Sequence, residues 1–507
     1  MFKYLKKLLT TKSPAPSQTQ KENSNHNRPI SSNLKNNITY IQERLNNSSD
    51  IILRHFQIGK NDAVLIFIEG LTDAKIVNEH VLEPLMGLDQ HPPLTPDTIS
   101  NHLVEISKVT QIATMNALIE GCLAGDSVLL LHNHPQALLL NTRGFETRSI
   151  KEPDTEVVVR GPKEGFTEKL QVNISMLRRK LKTENLIIED LTLGVQSATT
   201  VSFVYLKGIA RAEVIQEVRE RVSKIKIDAI LESGYIEQLI EDAPRSPFPT
   251  ISNSEKPDIV AAKLLEGRVA ILVDGTPVVL IVPKLFVESF QSAEDYYSRP
   301  YYASLVRTLR YASFFITTMG PALYVALTTF HQELIPTDLI ISMASAREGT
   351  PFPAMFEALG MGAVYEILRE AGIRLPRPVG NAVSIVGALV IGEAAVTAGL
   401  ISAPLLIVIA LTAISSYVVN ALADVAAILR LLFTFLAGFM GIFGIICVFL
   451  GILIHLCALK SFGTPYLSPL APLQPKGFLD LFIRAPMQAL ITRPANISNK
   501  NNKRQKN

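Results

Sequence analysis

Apolar positions fall into two regimes along this chain. Through residues 1–260 they occur as short runs and helical stripes broken by polar turns, the pattern of a soluble protein. Through residues 311–459 they form runs of membrane-crossing length. Residues 12–37 are rich in Ser, Asn, Gln, Pro and Lys, so 1–37 is expected to be a disordered tail. From Ile38 the pattern turns helical. Ala63–Ile68, closed by Glu69 and Gly70, reads as a buried strand. Thr72–Val81 reads as a helix, Thr110–Ala124 as another, and Asp126–Leu131 with Ala137–Thr142 as a hairpin. These elements predict a first α/β subdomain over 38–155.

A second α/β subdomain follows over 156–298. Phe166–Lys182 is helical, Leu186–Leu193 and Thr199–Tyr205 are strands, and Ala212–Lys224 is an amphipathic helix. Asp242–Pro257 carries four prolines, at 244, 247, 249 and 257, and reads as an irregular joint. Arg268–Val273 and Val278–Val282 flank Asp274-Gly275-Thr276-Pro277, a β-hairpin apolar enough to be mistaken for a span.

The remainder predicts a membrane domain over 299–460. Spans are expected at about 311–330, 379–402, 404–422 and 431–459. Thr337–Ala346 is too short to cross, and 352–372, with Glu357, Glu366, Arg369 and Glu370, reads as an amphipathic, interfacial helix. The expected fold is thus an α/β soluble N-terminal region of two subdomains followed by an all-α polytopic membrane domain. Arg299, Arg307 and Arg310 precede the first span, and the basic tail 461–507 follows the last. Both termini are therefore expected in the cytoplasm, with an even number of spans.

Composition narrows the function classes. The 507 residues carry a net charge of +3 and no basic stripe interleaved with aromatics, which argues against nucleic acid as a partner. Mean hydropathy is +0.24, and its source is the C-terminal half. Cys122, Cys447 and Cys457 form neither a CxxC pair nor a disulfide framework. Met1–Thr11 lacks the apolar core and cleavage site of a signal peptide. His132-Asn133-His134 places two histidines on one face, but no further ligand accompanies them, and a polar turn is expected instead. Gly161-Pro162-Lys163-Glu164-Gly165 could make an anion-binding turn, with a domain-joining turn as the plainer reading. With no nucleotide loop, nucleophile elbow or metal set, the chain is expected to be no enzyme and to hold no cofactor or metal.

The run from Val379 to Gly399 is different. It is long enough to span, yet it holds a carboxylate and repeated glycines. A carboxyl group in mid-membrane costs roughly 2.5–3.5 kcal/mol on insertion scales, so this helix should face protein or water. At helical spacing Val386, Val390, Glu393 and Thr397 share one side, a candidate ion pathway. Asn381, Ser384, Ala388, Gly392, Ala395 and Gly399 share another, a candidate helix-packing seam. Asp424, at a span end, reads as an interfacial cap.

The chain also resembles a known family. Glu152-Pro153-Asp154-Thr155-Glu156, Arg160-Gly161-Pro162-Lys163-Glu164-Gly165-Phe166-Thr167-Glu168 and Arg178-Arg179 carry the resemblance in the soluble half. So do Ser246-Pro247-Phe248-Pro249, the Gly267–Pro277 hairpin and Glu294-Asp295-Tyr296-Tyr297. In the membrane half it rests on Arg347-Glu348-Gly349-Thr350-Pro351-Phe352-Pro353 and the Val379–Gly399 run. Over nearly all of residues 40–495 the chain resembles the A subunit of GerA-type nutrient germinant receptors of endospore-forming bacteria.

That resemblance implies a receptor subunit of the spore inner membrane. It implies a permease-like B subunit and a lipoprotein C subunit as partners. It further implies a homo-oligomeric ring, expected to be a pentamer, that conducts monovalent cations when nutrient binds. The alternative is a membrane signalling scaffold that docks the other subunits without forming a pore. Four spans with no inverted repeat argue against a monomeric carrier.

Overall fold

The computed structural model describes residues 28–59, 61–87, 95–144, 156, 158–374, 390–494, 496–499 and 503–504. Two compact units separate: Met1–Thr147 with Leu181–Glu184, and Arg148–Lys180 with Asn185–Asn507.

In the first unit, helix α1 (Leu34–Arg44) precedes strands β1 (Ile51–Ile58) and β2 (Asn61–Ile68). A helical stretch, α2, runs through Ala74–Val77, a π turn at Asn78–Leu82 and Glu83–Met86. Strand β3 (Val109–Ile112), helix α3 (Met115–Ala124) and strands β4 (Ser127–Leu131) and β5 (Ala137–Leu140) complete it. The sheet order is β1-β2-β4-β5-β3, with every pair antiparallel. Val64, Ile66, Val128 and Leu130 pack on one face with α1 and α3. Ala63, Leu65, Leu129 and Leu131 pack on the other with Val77, Val81 and Leu85. Helices cover both faces, which is why β4 is buried along its whole length rather than in alternation.

Two local expectations change here. Thr110 belongs to β3 and not to a helix. The helix begins only after Thr114, whose side chain accepts from the Ala117 N–H as an N-cap, while Val109, Thr110 and Ile112 favour the extended chain. The helical pattern from Ile38 ends at Arg44, and β1 follows as an edge strand with Arg54 and His55 exposed.

The second unit repeats this plan. Helix α4 (Leu170–Lys180), strands β6 (Leu186–Leu193) and β7 (Thr199–Leu206), and helices α5 (Ala212–Ser223) and α6 (Ser233–Ile240) come first. Strand β8 (Ser252–Ser254), helix α7 (Pro257–Glu266) and strands β9 (Val269–Val273) and β10 (Val279–Val282) follow. The order β6-β7-β9-β10-β8 reproduces the first sheet position by position, again wholly antiparallel. α3, β4 and β5 match α7, β9 and β10 in length at one constant offset in numbering. Gly125 (φ 97°) and Gly267 (φ 103°) end the two helices in the left-handed region. Asn133 (φ 61°) and Gly275 (φ 93°) turn the two hairpins. His132-Asn133-His134 is thus the hairpin turn of the first sheet.

Helices continue the second unit without a break. They are α8 (Pro300–Thr329), α9 (Thr337–Arg347), α10 (Ala354–Arg374), α11 (described over 390–397), α12 (Ala403–Val418) and α13 (Ala423–Ala458). Pro300–Thr329 and the Asn420–Ala458 stretch are long and apolar enough to cross a membrane; α12 is apolar but shorter. The sequence expectation of one span over 431–459 meets a break. Gly441 has φ 62° and ψ −141°, and the chain reverses there so sharply that a Cβ on Gly444 would strike the Leu436 carbonyl. The expected span at 379–402 lies partly outside the described residues.

An aromatic cluster joins helices to sheet. Phe290 stacks on Tyr311 at 4.2 Å and meets Phe286 and Phe314 edge-on at 5.4 Å each. Phe248, Leu422, Leu429, Phe433 and Tyr466 belong to the same core. The described residues of 461–507, expected as a basic tail, fold back onto the second sheet. Ile497 is fully buried, Ser498 bridges Ala210, and Arg504 pairs with Glu266 at 3.0 Å.

Candidate functional site

Helix α11 divides its residues by exposure. Val390, Glu393 and Thr397 are exposed, Gly392 is buried, and Ala395 and Gly399 are half-buried. A Cβ on Gly392 would lie 3.3 Å from Leu406 of α12, so this glycine permits close helix approach. Gly399 (φ 66°) turns the chain toward α12, and a Cβ there would lie 3.2 Å from the Gly349 carbonyl. Glu393 makes no ion pair among the described residues. Val386, Asn381, Ser384 and Ala388 lie outside them.

The Arg347–Pro353 motif meets the far end of α11. Glu357, on the first turn of α10, is buried. Its carboxylate accepts from the Ser402 N–H at 3.1 Å and from Thr350 Oγ1 at 3.3 Å, and Arg347 stands 3.7 Å away. The Tyr324 and Ser402 hydroxyls bond at 3.0 Å. One carboxylate thus ties the motif loop and α10 to the start of α12, and α8 joins through Tyr324. A second set lies between α10, α12 and α13. Glu366 pairs with Arg430 and, at 2.8 Å, with Arg369; Tyr365 bonds Ser416 at 2.6 Å. Asp424 is an exposed neighbour of Arg369 at 3.9 Å. Sequence reading assigned Glu357 and Glu366 to an interfacial face. Their partners are remote in sequence, and only the mid-helix carboxylates themselves could have flagged them.

At the sheet end two of the charges counted for orientation, Arg307 and Arg310, are engaged. Arg307 is fully buried and pairs with Asp295 at 3.0 Å and Asp480 at 2.8 Å. Arg310 pairs with Asp295 at 2.9 Å. The Tyr296 hydroxyl donates to Asp480 at 2.6 Å. Ser246 and His455 bond at 2.8 Å, so the start of α8 and the end of α13 both stand at the sheet.

A buried ionic group closes the corner of the second sheet. Arg268 pairs with Glu266 and Glu288, and Lys263 with Glu288 at 3.1 Å. Burial alone would raise the Glu266 carboxyl; Arg268 and Lys263 bring it below the usual carboxylate range. Burial also pushes the Lys284 ammonium down to about 8, against the pull of Glu237. Gly161 (φ 151°) packs under Tyr297, and the Lys256 ammonium donates to the Pro162 carbonyl at 2.7 Å, so this turn joins elements. Among the described residues no group of three or more His, Cys, Asp or Glu could hold a metal ion.

Comparison with known proteins gives concordant matches. The family model described as Bacillus/Clostridium GerA spore germination protein matches residues 39–496. Spore germination protein KA of Bacillus subtilis (strain 168) is 47% identical over 483 residues, 94% of this chain and 89% of that protein. Spore germination protein GerLA of Bacillus cereus is 39% identical over 476 residues, 93% of this chain and 97% of that protein. The crystal structure of the N-terminal domain of the A subunit of the Bacillus megaterium spore germinant receptor GerK3 is 36% identical. It covers 51% of this chain and 98% of its own, with a TM-score of 0.38.

Proposed function

The chain belongs to the GerA family of spore germination proteins, and from that membership we propose that it is the A subunit of a nutrient germinant receptor. On this reading it resides in the spore inner membrane with both termini on the cytoplasmic side. Its partners are a permease-like B subunit and a lipoprotein C subunit. Copies of the chain form a ring, a pentamer in the simplest case, that opens a path for monovalent cations.

The observation that carries the channel is the division of α11. Glu393 is exposed, with Val390 and Thr397 on its side and Gly392 seated against the apolar helix α12. A carboxylate with no ion pair among the described residues calls for water, ions or a polar partner in a membrane. A ring of such carboxylates favours cations, and Val386 with Val390, four apart in the sequence, supply a dewetting gate on this reading. A partner that binds nutrient drives opening only by binding the open state more tightly. That the start of α8 and the end of α13 share the sheet end supports termini on one side of the membrane.

Two measurements test this reading. The detergent-purified assembly should have the mass of a multimer, and a monomer would remove the ring. Glu393→Gln should change the ion selectivity or rate of cation release in germinating spores; unchanged release would remove the glutamate ring. The dense ties between sheet and helices favour a second reading, a signalling scaffold without a pore. A cysteine-accessibility scan over residues 379–403 separates the two: a helical period of water exposure belongs to a pore, uniform protection to packing.

A further inference from the structure

The two sheets share one topology, but their matching corners are filled differently. In the second unit the corner after Gly267 is closed. A Cβ on Gly267 would lie 3.0 Å from Ser498 Cα and 3.3 Å from the Ile497 carbonyl. Arg268, the next residue, is met by two carboxylates of its own chain, Glu266 and Glu288. The cationic corner is therefore occupied by in-chain carboxylates.

In the first unit Gly125 delivers the chain to Asp126 at the same register step. Beside it lies a cleft of about 170 Å³ lined by Lys108, Thr110, Asp126, Leu139, Asn141 and Arg143. Asp126 is buried and accepts from Arg143 Nε and Nη2, both at 2.7 Å. That bidentate pair fixes the guanidinium through Nε and Nη2, and the two Nη1 N–H groups take no part in it. Lys108, Thr110 and Asn141 are exposed side chains around the same space. Asp126 offsets one of the two cations, so the cleft keeps an excess positive charge and a surplus of donors. Leu139 supplies an apolar wall.

We infer that this cleft binds a small aliphatic carboxylate. Lys108 and Arg143 Nη1 hold the carboxylate, Asn141 and Thr110 complete its hydrogen bonds, and a short alkyl chain lies along Leu139. A cation is disfavoured by Lys108 and Arg143, and the volume suits a molecule of only a few heavy atoms. The inference does not rest on the receptor reading.

The test uses the full-length chain in detergent with butyrate as probe, read by saturation-transfer difference NMR. Butyrate methyl and methylene signals should saturate, choline at equal concentration should not, and Lys108→Gln should weaken binding at least fivefold. Asn141→Ala, an exposed change, should weaken it by a smaller factor without altering the melting curve. Equal butyrate signals from the wild type and Lys108→Gln would overturn the site. Displacement of butyrate by inorganic phosphate as effectively as by acetate would overturn the carboxylate assignment.

Discussion

Gly441→Ala should be among the most disruptive small substitutions in the helical region. Gly441 holds φ 62° and ψ −141°, close to the backbone region that only glycine occupies. Forcing alanine there costs about 1–3 kcal/mol in backbone strain. Its Cβ would also lie 2.9 Å from Phe330 Cβ and 3.0 Å from His331 Nε2. Overpacking of that kind adds about 1–3 kcal/mol. The sum, roughly 2–6 kcal/mol, corresponds to a drop in melting temperature on the order of 10 °C for a unit of this size. Gly451 lies in the same helix with nothing within 4 Å of its Cβ position, so Gly451→Ala is the control. It should be neutral or stabilising by up to about 1 kcal/mol. The assay is far-UV circular dichroism melting of the detergent-purified full chain. If Gly441→Ala melts with the wild type, the chain does not reverse at Gly441, and the continuous span over 431–459 stands instead.

Asp295→Asn removes a buried partner of Arg307 and Arg310 and should cost about 3–5 kcal/mol; denaturation at low and high salt should show the same loss, because the group is shielded from solvent. Ile497→Ala should cost about 2–4 kcal/mol and raise the rate of proteolytic cutting within residues 461–504, which a free tail would not show. Lys284 releases its proton near pH 8 in the folded protein but only near 10.4 in the unfolded chain. Between those values the unfolded chain binds more protons, so stability rises with pH, by about 3 kcal/mol across the window. Lys284→Met should abolish that rise relative to the wild type; parallel pH profiles for the two proteins would refute it.

Much of the architecture was readable along the chain, and the misses share a cause. The β9–β10 hairpin was legible because two apolar runs flank a Gly-containing turn, information carried by neighbouring residues. β6 and β7 were legible for the same reason. Thr110 was misread because a strand and a capped helix abut with one residue-scale boundary between them. The repeat of α3, β4 and β5 in α7, β9 and β10 was invisible as sequence identity, since Asp126 stands where Arg268 does. Each is engaged by an opposite charge downstream, Arg143 and Glu288, so the ion pair persists with its signs exchanged. Of the candidate site, helical period in the sequence separates Glu393 from Gly392; in the described part of α11 Glu393 is exposed and Gly392 buried, and Val386, Asn381, Ser384 and Ala388 lie outside the described residues.

By itself the sequence determined the elements whose signals are local. These are the paired hairpins, the long apolar runs and the motifs that place the chain in its family. Only the tertiary structure decided where the charges go. Arg307 meets Asp480 across 173 residues and Arg430 meets Glu366 across 64. Such pairs offset a desolvation cost that neither residue reveals alone, so no periodicity announces them. The Gly441 break is of the same kind. An apolar run is compatible with a continuous helix or a reversed one, and the close packing of Phe330 and His331 against a residue without a side chain selects the reversal.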